Sequence, residues 1–272
     1  MIKHKLGFRI ALAACALAGP LSAGAATQVL YEAGVTNNNP ALAGWLAGGS
    51  SGATLSYSAQ GVLVTPAAES NSAGYSNYSP LLALFPNAPL VNAAFPQLSS
   101  SAGYRLSFGM DMDSETHTGN VNRAGFSVTL IGHDLKGVEI GFQNHRIFTQ
   151  ELSGNSFAAS ENTSNPVFVA AAFASNRWDL TVTGNTYALT LGNQTVLSGN
   201  TRDYSTYTGD GQNAYRTRDF IFIGDNTSSA QATFTFGYAA ITTPVPEPAE
   251  SAMLLAGLAC VVAAGRRRSR RV

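Results

Sequence analysis

The chain has 272 residues, 45% hydrophobic and 12% charged, with 16 basic and 16 acidic side chains and two cysteines. That length suits one sizeable domain with its own core, and the sparse charge, with no basic stripe, excludes a phosphate backbone as partner. The cysteines, Cys15 and Cys260, lie in apolar segments near opposite ends, so the chain between them has no disulfide framework, no thiolate metal site and no cysteine nucleophile.

In chain order, residues 1–25 come first. Lys3, Lys5 and Arg9 precede an apolar stretch from Ile10 to Leu21, and Ala23-Gly24-Ala25 supplies the small-x-small pattern that signal peptidase requires. An apolar run of about 12 residues is too short to cross ~30 Å of hydrocarbon as a helix. The segment therefore predicts a secretory signal cleaved after Ala25. Leu12-Ala13-Ala14-Cys15 also fits a lipoprotein box, but it leaves only about five apolar residues after Arg9, too few for an h-region. Without Lys3, Lys5, Arg9, Glu247, Glu250 and the five terminal arginines, 8 basic and 14 acidic residues remain, so the exported part is mildly acidic, near −6.

Residues 26–243 are rich in Gly, Ser, Asn and Thr, with short apolar runs and no helical periodicity. Tyr104 to Asp113 is the clearest strand, with Tyr104, Leu106, Phe108, Met110 and Met112 on one face. On that reading Phe108→Asp disrupts the core and Ser107→Asp is silent. Further strands are expected in AGFSVTLIG from Ala124, GVEIGF from Gly137, RIFTQEL from Arg146, RWDLTVTG from Arg177, TYALTLG from Thr186, DFIFIGD from Asp219 and ATFTFGYAAI from Ala232. Gly184-Asn185 and Gly192-Asn193 read as tight hairpin loops. Evenly spaced short strands predict a sandwich or barrel. Before Tyr104 the pattern is irregular, and Pro80, Pro86, Pro89 and Pro96 exclude a central strand between Ser79 and Gln97.

From residue 244 the composition changes again. Val245-Pro246-Glu247-Pro248 is followed by an apolar run, Ser251 to Gly265, and then by Arg266, Arg267, Arg268, Arg270 and Arg271. The prolines are expected to hold Glu247 in extended backbone, the apolar run to insert in the membrane as a helix, and the arginines to stay on the cytoplasmic side. A run of about 15–17 residues rich in Ala and Gly is marginal as a permanent span.

These last three features, in order and spacing, resemble the PEP-CTERM sorting signal of Gram-negative bacteria. The resemblance implies recognition by an exosortase, transient anchoring in the inner membrane, cleavage near the motif, and delivery to the cell surface or extracellular polymer matrix. NRAGFSVTLIGHDLKGVEIGF, RWDLTVTGNTYALTLGNQTVLSG and RDFIFIGDNTSSAQATFTFGYAAI resemble the concanavalin A-like jelly-roll domains of choice-of-anchor surface proteins, over roughly Tyr104 to Ile241. Together they imply an all-β, jelly-roll sandwich of two antiparallel sheets, flanked by an N-terminal signal helix and a C-terminal hydrophobic helix, with exopolysaccharide as a candidate ligand.

Catalytic chemistry is thin. Asp111, Asp113 and Glu115 stand at period two and are expected to share one strand face, a partial resemblance to the strand signature of family-16 glycoside hydrolases with Asp111 at the nucleophile position. Retaining enzymes need carboxyls about 5–5.5 Å apart, and the shorter Asp111 disturbs that spacing. The stretch is also an incomplete calcium loop, with Thr116 where Gly is needed and Asn122 where the bidentate Glu belongs. A secreted hydrolase using this stretch is the alternative to a non-catalytic surface or matrix protein. His117, His133 and His145 occur singly and predict no shared metal site. No cofactor motif is present, and Ser127 lacks a Gly-x-Ser-x-Gly elbow. Arg123 and Glu139 are expected to pair across adjacent strands. Tyr75, Tyr78, Tyr204, Tyr207 and Tyr215 read as loop tyrosines, of which Tyr204, Tyr207 and Tyr215 are the candidates for stacking on a sugar face.

Overall fold

The computed structural model describes residues 25–35, 38–49, 52–79, 90–153, 156–209 and 212–244. The signal segment before Ala25 and the sorting residues Pro246, Glu247, Pro248, Arg266, Arg267 and Arg268 lie outside the described residues, and so do the segments in which the two flanking helices are expected. Among the described residues, no helix is long and apolar enough to cross a membrane.

Ala25–Pro244 is one unit built of strands. In chain order these are β1 Ala25–Glu32, β2 Leu46–Gly49, β3 Thr54–Ser58, β4 Gly61–Thr65, β5 Ala73–Ser76, β6 Tyr104–Thr116, β7 Phe126–Ile131, β8 Lys136–Phe142, β9 Ile147–Ser153, β10 Ser156–Thr163, β11 Asn176–Thr183, β12 Thr186–Leu191, β13 Gln194–Asn200, β14 Arg202–Asp203, β15 Phe220–Asp225 and β16 Gln231–Pro244. Among the described residues, two short α-helices, α1 Pro166–Ala172 and α2 Gln212–Tyr215, and a 3-10 turn, Pro40–Ala43, sit in the connections. The first sheet runs β13-β12-β11-β6-β16-β4-β3, with β1 also paired to β16, and the second runs β10-β9-β8-β7-β15-β5-β2, with β14 on β8. All these pairings are antiparallel. The fold is an all-β sandwich, as the alternation predicts, and jelly-roll-like, as the resemblance implies.

The core lies between the sheets. Tyr104, Leu106, Phe108, Met110 and Met112 of β6 are all buried there. Their partners from the second sheet are Phe126, Val128 and Leu130 of β7 and Val138, Ile140 and Phe142 of β8. Aromatic edges lock the two layers: Phe108 to Phe142 at 6.2 Å, Phe142 to Trp178 at 5.3 Å and Phe126 to Phe234 at 4.8 Å between ring centroids. Both hairpins form as expected, with Thr183 opposite Thr186 and Leu191 opposite Gln194. Only the glycine of each loop pair has positive φ, 59° at Gly184 and 56° at Gly192, which is the pattern of a type II′ turn.

Two expectations change. The region before Tyr104 holds five strands, and Tyr75 is a core residue of β5 rather than a loop tyrosine. β2 (LAGG) and β5 (AGYS) carry little strand signal of their own and become strands because β15 offers β5 an edge to pair with and β5 in turn pairs with β2. The three carboxylates of β6 do not share a face. Ser114 pairs with Thr233 but Met112 pairs with Phe234, so Asp113 is an extra residue, a β-bulge that shifts the alternation by one. Glu115 consequently lies opposite the core residue Ala232 and is itself buried, whereas Asp113 is exposed.

Candidate functional site

The outer face of the second sheet carries the site, and β15 organises it. In FIFIGD, Ile221 and Ile223 enter the sandwich core while Phe220 and Phe222 belong to the outer face. Asp219, which leads into the strand, has φ 61°, a costly conformation for a residue with a Cβ. Its surroundings fix it there. Oδ1 accepts from the Leu98 amide at 2.8 Å, and Oδ2 lies 2.9 Å from His133 Nδ1. Buried Asn77 donates to the Asp219 carbonyl at 2.7 Å and accepts from the Ile221 amide at 2.9 Å. At the other end Gly224, φ 141°, pairs with Gly74, and a Cβ on it would come 2.5 Å from Gly74 Cα. Two bare backbones therefore meet there, closer than any side chain would allow.

Next to β15, the strands β7 and β8 alternate apolar residues inward with Ser127, Thr129, Glu139 and Gly141 outward. A carboxylate in the middle of such a face needs partners, since an unpaired buried charge is costly. Arg123 supplies one, its Nη1 lying 3.5 Å from Glu139 Oε1, so the pair expected from sequence forms. Arg123 is held by its own backbone: Gln143 Nε2 donates to the carbonyls of Arg123 and Val121 at 2.7 and 2.9 Å, and Gln150 Nε2 to that of Asn122 at 2.5 Å. Asn226, from the turn after β15, donates through Nδ2 to Glu139 Oε1 at 3.1 Å and accepts from Arg123 Nη2 at 2.9 Å. Tyr215 completes the network, its hydroxyl donating to Glu139 Oε2 and accepting from Asn226 Nδ2 at 3.0 Å.

Tyr215 reaches this position because residues 201–209 and 212–219 fold over the outer face and make a second small core, in which Tyr204, Tyr207, Tyr215 and Phe220 surround Ile131. Tyr204 stacks on Tyr215 with centroids 5.4 Å apart and planes 12° apart, and Tyr207 meets Tyr215 edge-on at 5.3 Å. The three candidate tyrosines therefore come together, in a different role from the one expected. Tyr204 is 0% exposed and Tyr207 4%, so neither can offer a ring face to a sugar, while Tyr215 borders the site that Tyr78 and Phe222 also line.

The space these elements enclose is a groove of about 520 Å³. Its walls are Gly48 and Gly49 of β2, Ser72, Ser76 and Tyr78 around β5, Asn120 and Arg123, Ala214 and Tyr215, Phe220 and Phe222, and the turn Asp225 to Ser229. The wall at Asn120 is tied to the loop after β4 by Glu69, whose carboxylate accepts from Thr118 Oγ1 at 2.7 Å and from the amides of Thr118 and Gly119 at 3.1 Å each. Those bonds, the Thr118 hydroxyl first, pull its pKa down to about 2. Asp225, at the base of the groove, behaves in the opposite way. Its Oδ1 accepts from the Thr227 amide at 3.0 Å, and Oδ2 has no hydrogen-bond partner among the described residues. Burial pushes this carboxyl up to about 8, opposed by the Thr227 amide and Arg123 and reinforced by the charges of Glu115 and Glu69.

The remaining candidates lie elsewhere. Glu115 accepts from the amides of Gly125 at 3.2 Å and Asn144 at 2.9 Å and contacts His117 Nδ1 at 3.0 Å. His117 and His145 are brought together, rings 5.1 Å apart, across a 28-residue separation that conceals the pairing in the sequence. Burial, then the neighbouring His117 and Arg146, hold the His145 pKa below its usual value. His133 contacts Asp219 where the chain leads into β15. Among the described residues no group of three or more His, Cys, Asp and Glu side chains is arranged to hold a metal ion.

No family model matches the chain, and no curated protein matches it. Among solved structures it is similar to a conserved carbohydrate esterase from the Shiga toxin-encoding bacteriophage phi24B, at 13% identity over 81% of this chain and 100% of that chain, with a TM-score of 0.47. The Caenorhabditis elegans galectin LEC-6 matches at 14% identity over 54% of this chain and 87% of that one, TM-score 0.34. The apo Crh5 transglycosylase matches at 12% identity over 85% and 88%, TM-score 0.42. All three scores lie below 0.5, and none of these likenesses assigns an activity to the chain.

Proposed function

We propose that residues 26–243 are an exported, non-catalytic carbohydrate-binding domain of the cell surface or extracellular matrix, with exopolysaccharide as ligand and the outer groove of the second sheet as its site. The observation that carries this reading is the composition of a pre-organised groove. Tyr78 and Phe222 supply apolar ring surface, and Ser72, Asn120, Asn226, Ser228 and Ser229 supply hydroxyls and amides. A sugar presents the complementary surface, CH patches beside hydroxyl groups that both donate and accept. Binding rather than cleavage is favoured because the two nearby carboxylates face protein: Glu139 is committed to Arg123, Asn226 and Tyr215, and Asp225 is fully buried. A hydrolytic pair has to reach the glycosidic oxygen and the anomeric carbon. Of the other candidates, Glu115 is set apart from Asp111 and Asp113 by the bulge at Asp113 and is buried.

Gly48 provides a direct test, because it lines the groove and a Cβ on it meets nothing within 4 Å. Gly48→Val is expected to weaken polysaccharide binding by about tenfold or more while leaving the thermal midpoint within about 2 °C of the native value. Binding that persists unchanged in this variant would exclude the groove.

The address of the domain rests on the tail. We propose that an exosortase processes it at or near Val245-Pro246-Glu247-Pro248 after signal peptidase has removed residues 1–25. Replacing Glu247, or deleting Arg266 to Val272, is then expected to leave export intact and to block tail removal. Mass spectrometry of surface material reads the outcome, and a full-length C-terminus on the native surface protein would refute the proposal.

A further inference from the structure

We infer that the groove takes an uncharged, polyhydroxylated glycan and rejects anionic polymers such as uronates or sulfated glycans; this rests on the carbohydrate-binding reading above. The decisive feature is where the charges lie. The surface open to a ligand is formed by Gly48, Tyr78, Asn120, Phe222, Asn226 and Ser228, all neutral. The two charged side chains that line the groove are buried, Arg123 at 7% exposed and Asp225 at 0%, and Glu139 behind them is 1% exposed.

An anionic ligand entering this groove would give up water and gain no accessible counter-charge. Arg123 is the cation at hand, and its guanidinium is already bonded, Nη1 to Glu139 at 3.5 Å and Nη2 to the side-chain and main-chain oxygens of Asn226 at 2.9 and 3.4 Å. Swinging it out to meet a carboxylate or sulfate would strip Glu139 of its counter-ion inside a nearly water-free face, which is the costly way to break a buried pair. The acidic groups act in the same direction. Glu139 lies directly behind the wall, Glu115 and Glu69 bear electrostatically on Asp225 at the base, and the exported part of the chain is net acidic. Each disfavours a second negative charge.

A neutral sugar meets none of these costs. Its hydroxyls exchange hydrogen bonds with water for bonds to side chains of the same kind, serine hydroxyls and the Asn120 amide. Its CH faces cover Tyr78 and Phe222. Because no ion pair forms or breaks, affinity for such a ligand is nearly insensitive to salt.

Matched polymers separate charge from backbone chemistry. The full chain, immobilised, is challenged with dextran against dextran sulfate and with galactan against polygalacturonate, from about 50 to about 500 mM salt, alongside the Gly48→Val variant. The expected result is that a neutral polymer is retained, that it outbinds its anionic counterpart by about tenfold or more, that its affinity changes less than about twofold over the salt range, and that Gly48→Val loses it. Preference for the anionic member, lost in Gly48→Val, would overturn the inference and leave the groove standing as a carbohydrate site. Retention of neither class, or retention untouched by Gly48→Val, would overturn both the inference and the reading beneath it.

Discussion

Phe108→Asp is expected to leave the domain unfolded in buffer where the native chain gives a sheet-rich circular dichroism spectrum. Phe108 is fully buried at the centre of the sandwich, with Trp178 opposite it on β11, Ala239 opposite it on β16 and Phe142 edge-on from the other sheet. Truncating such a ring costs about 3–5 kcal/mol, and an unpaired carboxylate in its place adds several more. Together these approach or exceed the roughly 5–15 kcal/mol that holds a typical domain folded. The comparison variant is the neighbour on the opposite face. From sequence Ser107→Asp looks silent, but the structure sets Ser107 directly across from Asp179, with its hydroxyl donating to that carboxylate. A second aspartate there faces a like charge, relieved in part by Arg105 at 3.8 Å, so a loss of about 1 kcal/mol is expected. Urea melts of both variants rank them, and equal losses would show that the faces of β6 are misassigned.

Asp225→Asn is expected to make the protein more stable at pH 9 and to change little at pH 5. In the folded chain burial lifts the Asp225 carboxyl to about 8, whereas an unfolded aspartate ionises near 3.8. Between those values the folded state holds a proton that the unfolded state has released. Its contribution is therefore fully present below about pH 4, declines as pH rises, and is gone above about pH 8. An asparagine keeps a neutral side chain of the same shape at every pH and so escapes the loss. The gain at pH 9 should be on the order of 3 kcal/mol, less than the raw shift implies because the buried site relaxes when it charges. Melts of the native chain and the variant at pH 5, 7 and 9 provide the comparison, in which titrations elsewhere, such as at Glu69 and His145, cancel. Parallel curves would show that Asp225 ionises normally.

What could be read from the sequence depended on how local each cause is. β6, β7, β8, β11, β12, β15 and β16 announce themselves because alternation and turn residues lie within the strand itself. β2 and β5 do not, since four residues such as LAGG form a strand only when a neighbour offers an edge. The burial of Glu115 was hidden by one extra residue, Asp113, which reversed the alternation that had placed three carboxylates together. In the groove, Arg123 and Glu139 could be paired from neighbouring positions. Asn226 and Tyr215 join them from 87 and 76 residues beyond Glu139, a distance no local pattern spans. One signal was available for that site: a lone glutamate in the otherwise apolar GVEIGF needs a partner, and DNTSS offers amide and hydroxyl groups one strand away. The mutual stacking of Tyr204, Tyr207 and Tyr215 depends on how residues 201–209 and 212–219 fold back over the sheet, which no local pattern encodes.

The strand that closes the domain is also the one that would bear a pull. β16 is 14 residues long and reaches Pro244 with β6 paired along one side from Gln231 to Thr242 and with β4 and then β1 along the other. Hydrogen bonds in antiparallel ladders run across the strands, so tension drawn out through Pro244 acts along β16 and shears both ladders at once instead of opening them rung by rung. A polymer held in the groove of the second sheet and a tether attached beyond Pro244 would thus load the domain through a strand paired along both sides.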